Sequence, residues 1–263
     1  MDIIRALQEE LGIGRGQVEA AVKLIDEGNT IPFIARYRKE ATGSLNDEVL
    51  RNLDERLRYL RNLEEKKEQV ISSIREQEKL TPELEQQILA AATLVAVEDL
   101  YRPYRPKRRT RATIAKEKGL EPLADLILLQ QMKGSVLDAA RDYISGEKGV
   151  ATAEEAVEGA KDILAERISD NAEYRTYIRN ATMSQGSLQS VAKDEKAESV
   201  YEMYYQYEET IKKTAGHRIL ALNRGEKEKY TTVQEQAPVE KIIRYLDTEG
   251  LDKTQHNNKA VYR

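Results

Sequence analysis

The sequence predicts an all-α fold: a helical scaffold with a helix-turn-helix-like N-terminal bundle, two long helices and a small β-hairpin near residues 217–234. Three observations support this. Charged residues make up 33% of the chain, and the helix-favouring residues Leu, Ala, Glu, Lys and Arg are abundant. Apolar residues recur at spacings of three and four, which is the helical period. Clear strand-like patterns are confined to a short region after residue 216.

The N-terminal 28 residues predict two short helices. Ile3, Leu7 and Leu11 fall on one face of the first helix, and the glycines of GIGRG (12–16) indicate a turn before the second. Gly28 ends the second helix, where a left-handed residue is common. This outline is typical of a helix-turn-helix, and also of any small helical bundle.

The next segment, IPFIARYRKEATG (31–43), predicts a helix that begins at Thr30 or Ile31 and ends at Gly43. Proline suits the first turn, where no backbone donor is needed. Tyr37 is expected to face inward. Arg36 and Lys39 are expected to share one face of this helix.

Two long helices are predicted, over residues 46–79 and 152–182. The first begins at Asn46 or Ser44 and carries leucines at helical spacing, but its apolar seam is interrupted over 64–68, which predicts a solvated middle. A shorter helix is expected from Thr81 to about Val97.

Shorter elements complete the prediction. Helices are expected from Glu121 to about Met132 and, capped by Ser135, to about Ile144. Residues 187–213 fit either a helix or extended chain. HRILALN (217–223) and KYTTVQ (229–234) read as the two strands of a β-hairpin, and residues 252–263 as a loose tail.

Composition excludes several classes of site. The chain has no cysteine, which excludes disulfides, thiolate metal sites and cysteine catalysis, and its two histidines, His217 and His256, are too few for a metal centre. We therefore expect no metal and no cofactor. The sequence has neither an apolar run long enough to span a membrane nor a secretory signal, so we expect a cytoplasmic protein.

Positive charge is concentrated in one segment, YRPYRPKRRTRATIAKEK (101–118). Eight basic residues against one acid give it a formal charge of +7, whereas the whole chain carries −4, so the remainder carries −11. A focused basic patch attracts polyanions. The interleaved tyrosines can stack on bases, and the two prolines are expected to hold the segment extended.

Three strings together carry a family resemblance: IPFIARYRKEATG (31–43), DLYRPYRPKRRTRATIAKEKGLEPLA (99–124) and HRILALNRGEKEKY (217–230). They resemble the N-terminal region of the bacterial Tex transcription accessory family over about residues 1–246. The resemblance implies a non-catalytic helical scaffold that binds nucleic acid and influences transcription.

The resemblance also implies a domain organisation. Residues 1–215 correspond to the helical N-terminal region, 216–246 to the hairpin and the start of the family's central core, and 247–263 to an irregular tail outside the family pattern. The family continues with an RNase H-like domain, helix-hairpin-helix units and an OB-type RNA-binding domain. We expect this chain to be truncated before all of these.

The candidate nucleic-acid-binding residues follow from charge and stacking, since Lys and Arg neutralise phosphates whatever the base sequence. They are Arg36, Arg38, Lys39, Tyr101, Arg102, Tyr104, Arg105, Lys107, Arg108, Arg109, Arg111 and Lys116. The alternative is that the basic segment is structural, with its arginines paired to the acidic remainder of the chain. Arg36, Arg38 and Lys39 likewise fit a solvated helix face.

No enzyme is predicted. GIGRG lacks the lysine and serine of a phosphate-binding loop and fits a helix-connecting turn, and His217-Arg218 has no nucleophile to act with. The function predicted is a transcription accessory module that binds RNA or DNA, with no membrane or small-molecule partner. The alternative is a protein-interaction scaffold for RNA polymerase or ribosome-associated partners.

Overall fold

The structure is a computed structural model that describes residues 2–129 and 134–250. Contacts divide the chain into two compact units, unit 1 (Met1–Tyr104) and unit 2 (Arg105–Arg263). The mainly helical prediction is confirmed, because thirteen α-helices and one three-stranded sheet form nearly all the regular structure of the described residues. None of these helices combines the length and apolarity that crossing a membrane requires.

Unit 1 is entirely helical in its described part. Its elements are α1 (Ile3–Leu11), α2 (Arg15–Asp26), α3 (Ile31–Tyr37), α4 (Asp47–Glu76), α5 (Pro82–Ala90), α6 (Leu94–Tyr101) and a closing 3-10 turn (Arg102–Tyr104). The two predicted N-terminal helices are confirmed, with Gly12 left-handed between them at φ +63°. Asn46 caps α4 as predicted, its side chain accepting from the backbone N–H of Val49.

The core of unit 1 is built along one face of α4. Leucines at positions 50, 53, 57, 60 and 63 are buried in a three-four rhythm, and α1, α2, α3 and α6 pack against α4. The predicted solvated stretch over 64–68 is wrong at Lys67, which fills the apolar seam and is only 1% exposed. Its aliphatic stem lies in the core while its Nζ donates to the Leu89 carbonyl at 2.8 Å and contacts Glu64 at 2.9 Å.

Four further predictions for unit 1 are corrected. Helix α3 ends at Tyr37, six residues before Gly43, and Tyr37 is 62% exposed rather than inward-facing. Arg36 and Lys39 therefore do not share a helical face. The predicted helix over 81–97 is two helices, because the chain is extended at Ala91 and Thr93 then caps α6.

Unit 2 is mixed. Its elements are α7 (Arg111–Glu117), α8 (Glu121–Leu129), α9 (Val136–Ala140), α10 (Ala153–Asp170), α11 (Ala172–Gln185), β1 (Ser187–Ala192), β2 (Gln206–Thr210), α12 (Gly216–Lys227), β3 (Thr231–Gln236) and α13 (Val239–Gly250). The Ser135 cap is confirmed; the helix it starts continues as a 3-10 turn over Arg141–Tyr143. The predicted end of α8 at Met132 lies outside the described residues.

The second predicted long helix is two helices. Asn171 adopts an extended conformation at φ −70° and ψ 119°, and its side chain accepts from the backbone N–H groups of Glu173 and Tyr174 at 2.9 and 3.0 Å. One asparagine thus ends α10 and caps α11, since its side chain replaces the backbone acceptors that a new helix lacks.

The predicted β-hairpin over 217–234 is wrong. HRILALN lies inside α12, and β3 pairs instead with β1, in an antiparallel sheet of order β2-β1-β3. Leu and Ala favour helix, and Leu222 packs into a cluster of tyrosines over one face of the sheet. The strand predicted near 229–234 is confirmed as β3, and the ambiguous stretch 187–213 contains β1 and β2.

The predicted organisation into three segments differs from the contact-based division. The boundary at residue 104 lies inside the basic segment and has no counterpart in the sequence prediction. The boundary at 216 stays a prediction about the family's organisation. Residues 247–250 of the predicted tail are helical, as part of α13, and the rest of that tail lies outside the described residues.

Candidate nucleic-acid interface

The basic segment begins in unit 1, where its first residues have structural contacts. The hydroxyls of Tyr101 and Ser73 are 2.9 Å apart, and the Tyr104 carbonyl accepts from the Gln77 side chain at 2.9 Å. Both rings are half-buried against the core of unit 1. The predicted extended conformation is wrong over Arg102–Tyr104, which forms a 3-10 turn.

The rest of the segment lies in unit 2, where packing fixes α7 against α10. Ala112 and Ala115 are buried between these helices. A Cβ at Gly159 of α10 would lie 2.3 Å from a Leu120 methyl and 3.3 Å from the Ala115 Cβ, so a larger residue there would force the Leu120 side chain to shift. The apolar side of α7 therefore faces α10, and polar residues that flank this contact, Thr110, Arg111 and Lys116, reach side chains of α10.

An acidic ladder on α10 meets the basic segment. Asp162, Glu166 and Asp170 are spaced four residues apart, so they project from one side of the helix. The Lys107 ammonium lies against Asp170 and 3.5 Å from Glu166. Thr110, which caps α7, donates to Glu166 at 3.0 Å.

Two further cations reach the same acidic ladder. Lys116 lies 3.9 Å from Glu166, and Arg111 lies 3.5 Å from Asp162. Part of the basic segment is therefore paired with acidic residues of α10, an arrangement that agrees with the alternative interpretation, which stays a prediction. The ladder is readable in the sequence as acids at positions i, i+4 and i+8, but sequence reasoning missed it.

Three arginines of the segment remain open to solvent. Arg108 is exposed and makes no hydrogen bond or ion pair with any residue in the described ranges. Arg109 pairs with Glu117 at 2.8 Å yet stays 68% exposed, and the Arg111 side chain is 87% exposed. Arg102 and Arg105 interact with other groups.

The three candidates of unit 1 fall into two groups. Arg36, Arg38 and Lys39 are all exposed. The Arg38 guanidinium lies 5.2 Å from the centre of the Phe33 ring, whereas Arg36 and Lys39 line a cleft at the start of α4.

The polar groups around His217 form a structural cluster. His217 is exposed at the start of α12, and the neighbouring Arg218 donates to Glu209 at 2.6 Å. Hydrogen bonds from Tyr207 and Arg218 lower the pKa of Glu209, while burial and the Glu209 carboxylate raise the pKa of Tyr207. In the part of the chain the structure describes, no three His, Cys, Asp or Glu side chains are grouped to hold a metal ion.

Two family models match the chain. A model described as Tex-like protein N-terminal domain matches residues 1–75, and one described as Tex central region-like matches residues 133–256. Together they match both units.

Curated relatives extend the similarity over most of the chain. The chain is 48% identical to Uncharacterized protein YdcI of Bacillus subtilis over 244 residues, and 43% identical to Transcriptional accessory protein Tex of Neisseria gonorrhoeae over 256; each alignment covers 92% of the chain, and 34% and 33% of the relative. It is 30% identical to S1 RNA-binding domain-containing protein 1 of Homo sapiens over 242 residues, covering 89% of the chain and 24% of that protein. The chain thus spans about a third or less of the length of these relatives.

Proposed function

Taking as premise that this chain belongs to the Tex family, we propose that it is a cytoplasmic, non-catalytic module that binds nucleic acid in transcription. The names of two relatives support the proposal, since one is a transcriptional accessory protein and the other an S1 RNA-binding domain-containing protein. The chain aligns with a third or less of each relative, so binding by this chain has to come from its own residues.

The exposed guanidinium groups of Arg108, Arg109 and Arg111 support this function most directly. Guanidinium presents a planar fork of donors that matches the oxygens of a phosphate. Phosphate contacts fix a strand on a protein without reading its bases. We therefore propose a sequence-independent contact to the backbone of RNA or DNA.

The same geometry limits the strength of the contact. Lys107 and Lys116 lie against the acidic ladder of α10, which offsets their attraction for phosphate. The exposed arginines outnumber their close acidic partners, but Glu117 and Asp162 still compete for two of them. Binding should consequently be weak and steeply dependent on salt.

The test is fluorescence anisotropy of labelled single-stranded and duplex RNA and DNA over a salt series. Affinity falls with salt, and the slope of log affinity against log salt measures how steeply. Replacing Arg108 and Arg111 by Gln should make this slope shallower by roughly 1.4 on a single strand, because each lost phosphate contact contributes about 0.7. A control that replaces the exposed pair Lys212 and Lys213 by Gln removes the same charge from the same unit.

The outcomes separate clearly. A slope that falls for the arginine variant and stays near wild type for the lysine control supports the contact. Equal losses in both variants would mean that only the net charge of the unit matters. No binding at low salt by a chain shown folded by circular dichroism would refute nucleic-acid binding by this region.

A protein-interaction scaffold is the second candidate, and one observation favours it. Val200 and Met203 of unit 2 are 84% and 73% exposed, and exposed apolar side chains mark a protein interface where they form a contiguous patch. An RNA polymerase or ribosome-associated partner would bury them. A pull-down that survives nuclease treatment, and is lost when both are replaced by Ser, would support this function.

A further inference from the structure

Unit 1 contains a cleft of about 640 Å³ between the end of α3 and the start of α4. Three basic side chains line it, Arg36 from α3, Lys39 from the following turn and Arg51 from α4. Asp47 is the acidic side chain among the lining residues. The described lining therefore carries a formal charge of +2.

Two of these cations are free of partners within the described residues. Arg36 and Lys39 are exposed, and their side chains make no hydrogen bond or ion pair there. Arg51 donates through Nε to Asp47 at 2.7 Å while its side chain remains 64% exposed. An exposed pair of this kind contributes little, so the guanidinium can exchange its partner for a stronger anion.

The backbone around the cleft is held in place. The Gln17 side chain of α2 donates to the carbonyls of Thr42 and Gly43 at 3.3 and 3.0 Å. The buried Thr42 hydroxyl donates to the Arg38 carbonyl at 3.1 Å, and the Ser44 N–H donates to the Lys39 carbonyl at 2.7 Å. The turn that carries Lys39 is thus ordered before any ligand arrives, which lowers the entropy cost of binding.

We propose that this cleft binds a phosphodiester group of a nucleic-acid strand, held by Arg36, Lys39 and Arg51. Two guanidinium forks and one ammonium match the charge and the donor geometry that a phosphate requires. The inference rests on the proposed nucleic-acid binding, but its residues belong to unit 1, whereas the arginines of the proposed function belong to unit 2.

Arg38 provides a matched control from the same turn. It carries the same charge one residue from Lys39, but it does not line the cleft and lies over the Phe33 ring. If only the general positive charge attracts the strand, all three substitutions should weaken binding equally. If the cleft contacts a phosphate, substitution of Arg36 or Lys39 should weaken binding and substitution of Arg38 should not.

The experiment is anisotropy of the full chain with a labelled oligouridine of about 20 nucleotides, in a salt series. Arg36→Gln and Lys39→Gln should each lower the salt slope by about 0.7, which is roughly a five-fold loss of affinity at 0.1 M salt. Arg38→Gln should leave the slope near wild type. Circular dichroism confirms that each variant is folded, as expected for exposed side chains.

The results distinguish this inference from the proposed function. If Arg38→Gln weakens binding as much as its neighbours do, or if none of the three changes it, the cleft is not a phosphate site. In that case a loss in the Arg108 and Arg111 variant would leave the proposed function standing. A slope loss confined to Arg36→Gln and Lys39→Gln supports the cleft, whatever the unit 2 variant does.

Discussion

The two units hold their basic residues differently. In unit 1, Arg36 and Lys39 lie beside the start of α4 and make no ion pair with a described residue. In unit 2, Lys107 and Lys116 lie against carboxylates that α10 presents at every fourth position. Both stretches look alike as runs of Lys and Arg. Their availability to a polyanion depends on which helix faces them, so a count of local charges does not measure it.

Lys67 extends the comparison to the interior of unit 1. Its neighbour Lys66, of the same residue type on the same helix, makes a partly exposed pair with Glu98. Lys67 is 1% exposed and spans from the core to the Leu89 carbonyl. Whether a cation is structural or open to a ligand therefore depends on how deeply it is buried and on which groups it contacts, and not on its charge alone.

The largest effect is expected from a substitution that removes the contact between Lys67 and the Leu89 carbonyl. Lys67→Ala leaves the Leu89 carbonyl without its donor and opens a cavity beside α4, so unit 1 should lose about 2–4 kcal/mol of stability. Lys66→Ala should cost under about 1 kcal/mol, since its pair is partly exposed. Denaturant unfolding followed by circular dichroism measures both. Equal losses would mean that Lys67 is not a special core residue.

The second prediction concerns cations of unit 2 that are paired with acids, which lose their partners and so come to resemble the unpaired cations of unit 1. Replacing Asp162 by Asn and Glu166 by Gln frees Arg111 and Lys116, so binding of a labelled single strand at 0.1 M salt should tighten by roughly five-fold or more. Replacing Glu195 and Glu198 by Gln removes the same charge from exposed positions of the same unit. A gain of equal size in that control would contradict a specific release of cations.

The third prediction tests whether order in the turn of unit 1 matters. Gln17→Ala removes the donor to Thr42 and Gly43, and should cost up to about 1 kcal/mol. Hydrogen exchange at the Ser44 amide, which donates to Lys39, should accelerate while amides in the middle of α4 keep their protection. Unchanged exchange at Ser44 would show that the turn is held by other contacts.

The smallest expected effect concerns surface pairs in unit 1. A hydrogen bond from Arg56 lowers the pKa of Glu10 below its ordinary value of 4.5. A lowered folded-state pKa gives stability that is present above the ordinary value and is lost as pH falls through the folded value.

The contribution of the Glu10–Arg56 pair to stability can be measured with a variant of Glu10. Glu10→Gln should be less stable than wild type by a few tenths of a kcal/mol at neutral pH, because the pair is more than a third exposed. The difference should shrink as pH falls below 4.5 and vanish once the carboxylate of the folded wild type is protonated. Thermal melts at several pH values check this, and a difference that grows toward acid would contradict the sign.

Local signals predicted the helix starts well. Asn46 and Ser135 cap helices as their side chains indicated, because a cap depends on a few consecutive residues. The prediction that HRILALN forms a strand was wrong, since its short apolar pattern fits either a strand or a helix. Packing of Leu222 against the tyrosine cluster favours the helix. The prediction that Lys67 is solvated was wrong because the carbonyl that accepts from it belongs to Leu89, which is distant in sequence.

The sequence by itself determined the helical character of most of the chain, the capped helix starts and the location of the basic segment, since these depend on neighbouring residues. Tertiary structure decided that Lys107 and Lys116 are paired while Arg108 is open, and that Arg36 and Lys39 share a cleft with Arg51. It also decided that β3 pairs with β1. The physical reason is that each of these depends on elements that are not adjacent in the chain, and only packing sets which of them meet.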